Sequence, residues 1–147
     1  MKYYLLLTAI ILSLLAGCSD NNTKAVDEML DDFGLSIPNG HHVFVLIPHH
    51  SCTGCVKKTW DFLERQEING NNITILNAYM KGKDPFEKPI GCPVYVDSTF
   101  IIENGAISFA NPTLIHTNRN KVTKIIELPS NEIEHLLQIE LSDYLTK

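Results

Sequence analysis

The stretch His42-Val43-Phe44-Val45-Leu46-Ile47-Pro48-His49-His50-Ser51-Cys52-Thr53-Gly54-Cys55-Val56 decides the fold. Its first six residues form an almost continuous apolar run, the pattern of a central strand buried on both faces, and Pro48 closes it. Beyond the cysteines, Val56, Thr59, Trp60 and Leu63 recur at i, i+3, i+4 and i+7, one face of a helix. That helix runs to about Glu67, with Asn69-Gly70 as its stop. A C-x-x-C pair thus sits at a strand-to-helix junction. Cys52 falls where unpaired N–H groups and the positive end of the helix dipole favour a thiolate. Cys55 lies one turn on, close enough to form a disulfide with it. The same four residues are also half of a zinc site, so the surrounding chain has to discriminate.

Outward from this junction, Ile73 to Ala78 reads as a second strand, and Lys81 to Cys92, with Gly82, Pro85, Pro89 and Gly91, as a loop. Val94-Tyr95-Val96 is a short strand. Asp97-Ser98 can cap a short helix through Ile102, ended by Asn104-Gly105. Thr113 to His116 and Val122 to Ile126 make a hairpin around Asn118-Arg119-Asn120. Pro129-Ser130 opens a last helix with Ile133, Leu136, Leu137, Leu141 and Tyr144 facing inward. Upstream, Thr23 can cap a helix carrying Val26, Met29, Leu30 and Phe33, which Gly34 ends, and Pro38-Asn39-Gly40 is a turn. A strand, crossover helix and strand imply a parallel pair, and the later hairpin adds antiparallel strands to the same sheet. The expectation is an α/β protein with a mixed central sheet covered by helices on both faces.

The N-terminal residues speak to location. Lys2 is a short basic start, and Leu5 to Leu15 is an apolar core of about a dozen residues, short for a membrane span. Leu15-Ala16-Gly17-Cys18 then resembles the box of a bacterial lipoprotein signal. The resemblance implies a leader over residues 1–17, lipidation of Cys18, a tether over 18–22 and one domain over 23–147. It also implies a lipid anchor in the bacterial cell envelope. Ser19, rather than aspartate, after the cysteine favours the outer membrane. The alternative is an ordinary secretory signal, with Cys18 incidental. Lys and Arg number 12 against 17 Asp and Glu, a net charge of −5. Lys2 belongs to the leader, so the mature chain is one unit more negative. This balance argues against nucleic acid as a partner. Setting Cys18 aside leaves Cys52, Cys55 and Cys92, one pair and one extra thiol, in a compartment where disulfides persist.

The order of these features resembles the thioredoxin-like superfamily, in particular its branch of exported, membrane-anchored redoxins, over roughly His42 to Leu141. The C-x-x-C opening the first core helix carries the likeness. So do Pro93-Val94-Tyr95-Val96-Asp97-Ser98, similar to the branch's added strand and helix, and Asn111-Pro112-Thr113-Leu114-Ile115, similar to the element in which a cis-proline starts the third core strand. The resemblance implies a three-layer α/β/α thioredoxin-like sandwich and a thiol-disulfide oxidoreductase without a cofactor. Its partners would be protein or small thiol/disulfide clients and a redox partner. It implies Cys52 as nucleophile, Cys55 as resolving thiol, and Asn111 and Pro112 as the substrate-binding element, with the Pro112 peptide bond cis. A trans bond there counts against the likeness at its most specific point. Two departures stand out: Ser51 replaces the aromatic residue usual before the first cysteine, and Thr53-Gly54 replaces the familiar intervening pairs. Those positions tune redox poise, so oxidation and reduction both remain open.

Other residues are candidates of a lesser kind. His49 and His50 precede Cys52 closely and read as an exposed pair whose positive charge would favour its thiolate. Together with the cysteines they could ligate zinc, but their spacing is not that of a finger, and His41 and His42 lie a whole strand away. No metal is expected. Cys92 reads as a buried inert thiol, or as an auxiliary partner of Cys52. Trp60 reads as core; Asp61, Glu64 and Glu67 read as a solvated face. The alternative function is a non-catalytic module of the same fold, binding a partner or metal, with the Cys52–Cys55 pair structural.

Overall fold

A computed structural model describes residues 21–66, 68, 70–78, 90–105 and 107–145. Residues 21–32 form helix α1, followed by strand β1 (His42–Ile47), which is buried at every position. Helix α2 (Thr53–Arg65) carries the chain across one face. Strand β2 (Ile73–Asn77) then lies parallel to β1, with Val43 opposite Ile73 and Ile47 opposite Asn77. Strand β3 (Val94–Val96) adds parallel to β2 at the edge. After the one-turn helix α3 (Ile101–Asn104), β4 (Thr113–Asn118) pairs antiparallel with the other side of β1. Strand β5 (Lys121–Glu127) closes a hairpin with β4. The sheet order is β3-β2-β1-β4-β5. Helix α4 (Ile133–Glu140) and a 3₁₀ turn (Ser142–Tyr144) complete the chain.

Alternation along β1 feeds two cores, because successive side chains point to opposite faces. Val43, Val45 and Ile47 pack with Val56, Phe62 and Leu63 of α2 and Ile133 and Leu137 of α4. Phe44 and Leu46 pack with Val26, Met29 and Leu30 of α1 and Ile102 of α3. A run apolar at every position is therefore what a strand between two helical layers requires. The result is the expected three-layer α/β/α arrangement with a mixed sheet, compatible with a thioredoxin-like sandwich. The β4–β5 turn is made by Arg119 and Asn120, at φ +51° and +58°. That pair of left-handed residues matches the twist of a two-residue hairpin.

Local differences from the sequence expectation have local causes. Thr23 lies inside α1 rather than capping it, and its Oγ1 accepts from the Val122 N–H at 3.1 Å. The hydroxyl fastens the helix to an edge strand, whose outer N–H groups need partners. Helix α2 stops at Arg65, capped by Gln66; Glu67, Asn69, residues 81–89 of the expected loop, and the leader with Cys18 lie outside the described residues. Asp97 does hold α3, from further away than expected. Its buried carboxylate accepts from Thr99 N–H at 3.0 Å and from Ile102 N–H at 2.9 Å. The chain reaches the helix through Phe100, a non-glycine residue at φ +62°. Among the described residues no helix is long and apolar enough to cross a membrane.

Candidate functional site

The parallel strands β1, β2 and β3 all end at one edge of the sheet, and β4 begins there. Four segments meet at this edge: the Pro48–Cys52 loop, the end of β2, the Asp97–α3 turn, and Ala110–Pro112. Open sheets commonly bind ligands outside the carboxyl ends of parallel strands.

Cys52 is the N-cap of α2, with extended backbone (φ −60°, ψ 131°). Its Sγ accepts the Cys55 N–H at 3.0 Å, while its carbonyl accepts the Val56 N–H at 3.0 Å. Sulfur here does what a Ser or Asp oxygen does at most helix starts, taking up an orphan N–H donor. A thiolate fills that role better than a neutral thiol, because an ionised acceptor makes the stronger bond. The first turn of α2 holds no acidic residue to oppose it. Lys57 and Lys58 follow one turn on; Lys57 pairs with Asp61 at 2.8 Å and Lys58 donates to the Ser130 carbonyl at 2.8 Å. Cys55 points the other way, into the apolar face of α2, and is 1 % exposed. A disulfide joins the two, with Cα atoms 5.2 Å apart. The first cysteine is therefore an exposed residue and the second is buried behind it.

Ser51, the residue in place of an aromatic, is buried, and its Oγ donates to the Ala110 carbonyl at 3.2 Å. This bond ties the cysteine loop to the segment before β4. With Leu46 opposite Thr113, continuing the register sets Pro112 opposite Ile47, beside the loop that leads to Cys52. The structure thus brings Asn111 and Pro112 to the same edge as the disulfide. The expected cis bond is not there: among the described residues every peptide bond is trans. An X–Pro bond favours trans by about 0.5–1 kcal/mol, and proline fits in trans just ahead of a strand. The Pro112 carbonyl still accepts the Leu128 N–H at 2.8 Å, so the strand start is well held.

The two histidines behave differently from each other. His50 is exposed, as expected of both. His49 is half-buried, its backbone N–H donates to Glu103 Oε1, and its ring stands edge-on to those of His50 and Phe100 at 4.9 and 5.2 Å. Glu103 and Phe100 are participants that sequence reasoning missed. They sit some fifty residues away in a segment with no motif, so only the folded sheet edge reveals them. His41 and His42 lie at the other end of β1. There Asn118 Nδ2 donates to His41 Nε2 at 3.1 Å, and the buried His42 ring meets Thr74 Oγ1 at 2.9 Å. Among the described residues no three His, Cys, Asp or Glu side chains are grouped to hold a metal ion.

Cys92 is not brought to the site. It is half-buried against the α2-side core. Val94 pairs with Ile75, which puts Cys92 beside the start of β2, about 13 Å along the strands from the edge that carries Cys52. Burial pushes its thiol up to about 11, so it is neutral and a poor nucleophile. The fold thus sets Cys92 apart from Cys52. A cavity of about 380 Å³ lined by His41, Gly70, Asn72, Asp143 and Tyr144 also opens at that far end, away from the disulfide. Compared with known proteins, the chain matches no protein-family model, no curated protein and no solved structure.

Proposed function

We propose that this protein is a thiol-disulfide oxidoreductase of the bacterial cell envelope, lipid-anchored through Cys18, and that it is a member of the thioredoxin-like superfamily. The observation that carries the activity is the asymmetry of the disulfide. Cys52 is an exposed residue whose Sγ accepts a helix N–H, while Cys55 is buried one turn behind it. A client thiolate would attack Cys52, forming a mixed disulfide and expelling the Cys55 thiolate, which takes up a proton. A second client thiolate would then attack the client sulfur of that mixed disulfide. The client leaves oxidised and the protein leaves as the dithiol; the reverse sequence reduces a client disulfide. The cysteines carry both electrons, and no cofactor enters. The anchor, the envelope location and the thiol clients rest on the leader sequence and on this chemistry.

The non-catalytic module remains the second reading, favoured by the trans bond at Pro112, which withdraws the most specific element of the likeness. The disulfide itself weighs against it. It links residues three apart within one helix start, where a covalent staple joins nothing that the N-cap does not already hold. It also leaves one sulfur where any external thiol can reach it.

Cys55→Ser decides between the two readings. With the resolving thiol gone, the reduced variant should accumulate mixed disulfides through Cys52 with small disulfides and with envelope proteins, visible on non-reducing gels and absent in Cys52→Ser. Failure of the wild-type protein to equilibrate with a glutathione buffer would establish the structural-module reading instead.

A further inference from the structure

We propose that Glu103 is a positioning residue for the dithiol, holding the Pro48–Cys52 loop through His49 and thereby keeping Cys52 beside Cys55; this rests on the function proposed above. Glu103 Oε1 accepts the backbone N–H of His49, three residues ahead of Cys52. The support behind Glu103 is firm. Asp97, 2 % exposed, fixes the turn into α3 with both carboxylate oxygens. Its own N–H is anchored to the Asn77 carbonyl at 2.7 Å. Phe100 adopts φ +62° in that turn and lays its ring against His49.

Two features mark this contact as more than packing. A left-handed phenylalanine is strained, and such strain persists where the surroundings impose it, often beside a functional site. In addition, His49 Nδ1 and Glu103 Oε2 are buried and have no hydrogen-bond partner among the described residues. Buried polar atoms without partners are uncommon and costly. A segment under selection for stability alone would place apolar side chains here.

The consequence follows from chain entropy. In the disulfide form, Cys52 is held by both the S–S bond and the Glu103–His49 bond. In the dithiol form the S–S bond is gone, and beside the Ser51–Ala110 bond the loop is held by the Glu103–His49 bond. Removing it frees the reduced state more than the oxidised one, so the equilibrium with an external thiol moves toward the dithiol. General destabilisation of the fold would act on both forms alike and leave that equilibrium in place.

The test is the equilibrium of the full-length protein with reduced and oxidised glutathione, read by acid quench and alkylation. His49 amide exchange is followed by NMR on the same samples. Glu103→Ala should lower the oxidation equilibrium constant by about threefold to tenfold, or roughly 15–30 mV in potential, and lose protection at the His49 amide. Glu103→Gln keeps an acceptor oxygen and should stay within about twofold of wild type. Glu103→Asp keeps the charge but withdraws the oxygen by one methylene, so it should follow Glu103→Ala and keeps the test decisive if the alanine variant does not fold. Unchanged equilibria in Glu103→Ala and Glu103→Asp would overturn the inference while leaving the oxidoreductase reading intact. A Glu103→Gln variant as impaired as the alanine one would show that charge, not the hydrogen bond, is at work, and would also overturn it. Absence of exchange in the wild type would remove the proposed function, and this inference with it.

Discussion

Reducing the Cys52–Cys55 disulfide should cost this protein little stability, and the amount can be worked from where the bond sits. The bond closes a loop of four residues, since its cysteines are three apart in sequence. In the chain-entropy treatment such a loop removes about 6 cal/mol/K from the unfolded ensemble, or about 2 kcal/mol at 25 °C, against about 3 kcal/mol for a loop of fifteen. Reduction then returns part of this. A thiolate on Cys52 gains from the helix N-terminus about 0.3–1 kcal/mol, and up to about 2 kcal/mol in a partly buried geometry. The acceptor bond from the Cys55 N–H lies within that gain. The net loss should therefore fall between about 0 and 2 kcal/mol, with the hydrophobic cores on both sheet faces otherwise untouched.

Equilibrium urea unfolding of the oxidised protein and of the protein held reduced by a phosphine measures this difference directly. With m near 2 kcal/mol/M, the midpoint should drop by no more than about 1 M, with m little changed. A thermodynamic cycle supplies a second route. The same 2 kcal/mol should reappear as a difference of at most about 40 mV between the folded protein's potential and that of its unfolded chain. A loss above about 4 kcal/mol on reduction, or loss of the cooperative transition, would refute the reasoning. The bond would then be a structural staple, and the non-catalytic module would be the better account.

Two further predictions concern the anchor and pH. Cys18→Ala should abolish incorporation of labelled fatty acid and partitioning into detergent; unchanged partitioning would reject lipidation. Burial lowers the folded-state pKa of His42, and of His116 against the smaller raising effect of Glu140, below their ordinary 6.5. Both rings are thus held neutral in the folded protein, and the unfolded chain takes up protons first as pH falls. Stability should be at its full value above about pH 6.5 and decline below it, through the window down to the lowered folded-state values. Urea midpoints at pH 7 and pH 5 should show the decline, and His116→Gln should reduce its slope. Equal slopes in wild type and variant would remove His116 from the account.

What was legible in the sequence is what local periodicity and turn chemistry encode. The apolar run of β1, the amphipathic face of α2, the hairpin around Arg119 and Asn120, and the parallel β1–β2 pair all follow from residues near one another in the chain. So does the placement of Cys52 at a helix start, because the strand and the helix flank it directly. Three things were not legible, and each is set by distant residues. The Pro112 bond is decided by how β4 meets β1 and β5, and a trans proline ahead of a strand has the same sequence signature as a cis one. The end of the sheet on which Cys92 lies depends on the register of β3 against β2, which three residues of strand do not announce. Glu103 reads as one acid in a short, largely apolar segment, and nothing around it signals that its carboxylate will meet the His49 backbone.

The trans bond at Pro112 and the exposed Cys52 pull in different directions, and their weights differ because they bear on different steps. Pro112 bears on how an extended client would be aligned beside the dithiol. Its cis form would present the neighbouring backbone for pairing, and the trans form withdraws that particular presentation. Cys52 bears on whether exchange can happen at all, which requires an attackable sulfur, a resolving thiol within reach and a place for negative charge. The first is met by exposure, the second by the disulfide itself, and the third by the Cys55 N–H directed at Sγ. Under the proposed function, losing an alignment element would narrow the clients toward small or flexible thiols, whereas losing any one of the three chemical requirements would end the reaction. The chemistry therefore outweighs the missing cis bond. The same distinction predicts that Pro112→Ala changes exchange with glutathione little, because no cis bond is lost and glutathione needs no strand pairing. A large fall in glutathione exchange in that variant would mean that Pro112 shapes the dithiol itself rather than the path of its clients.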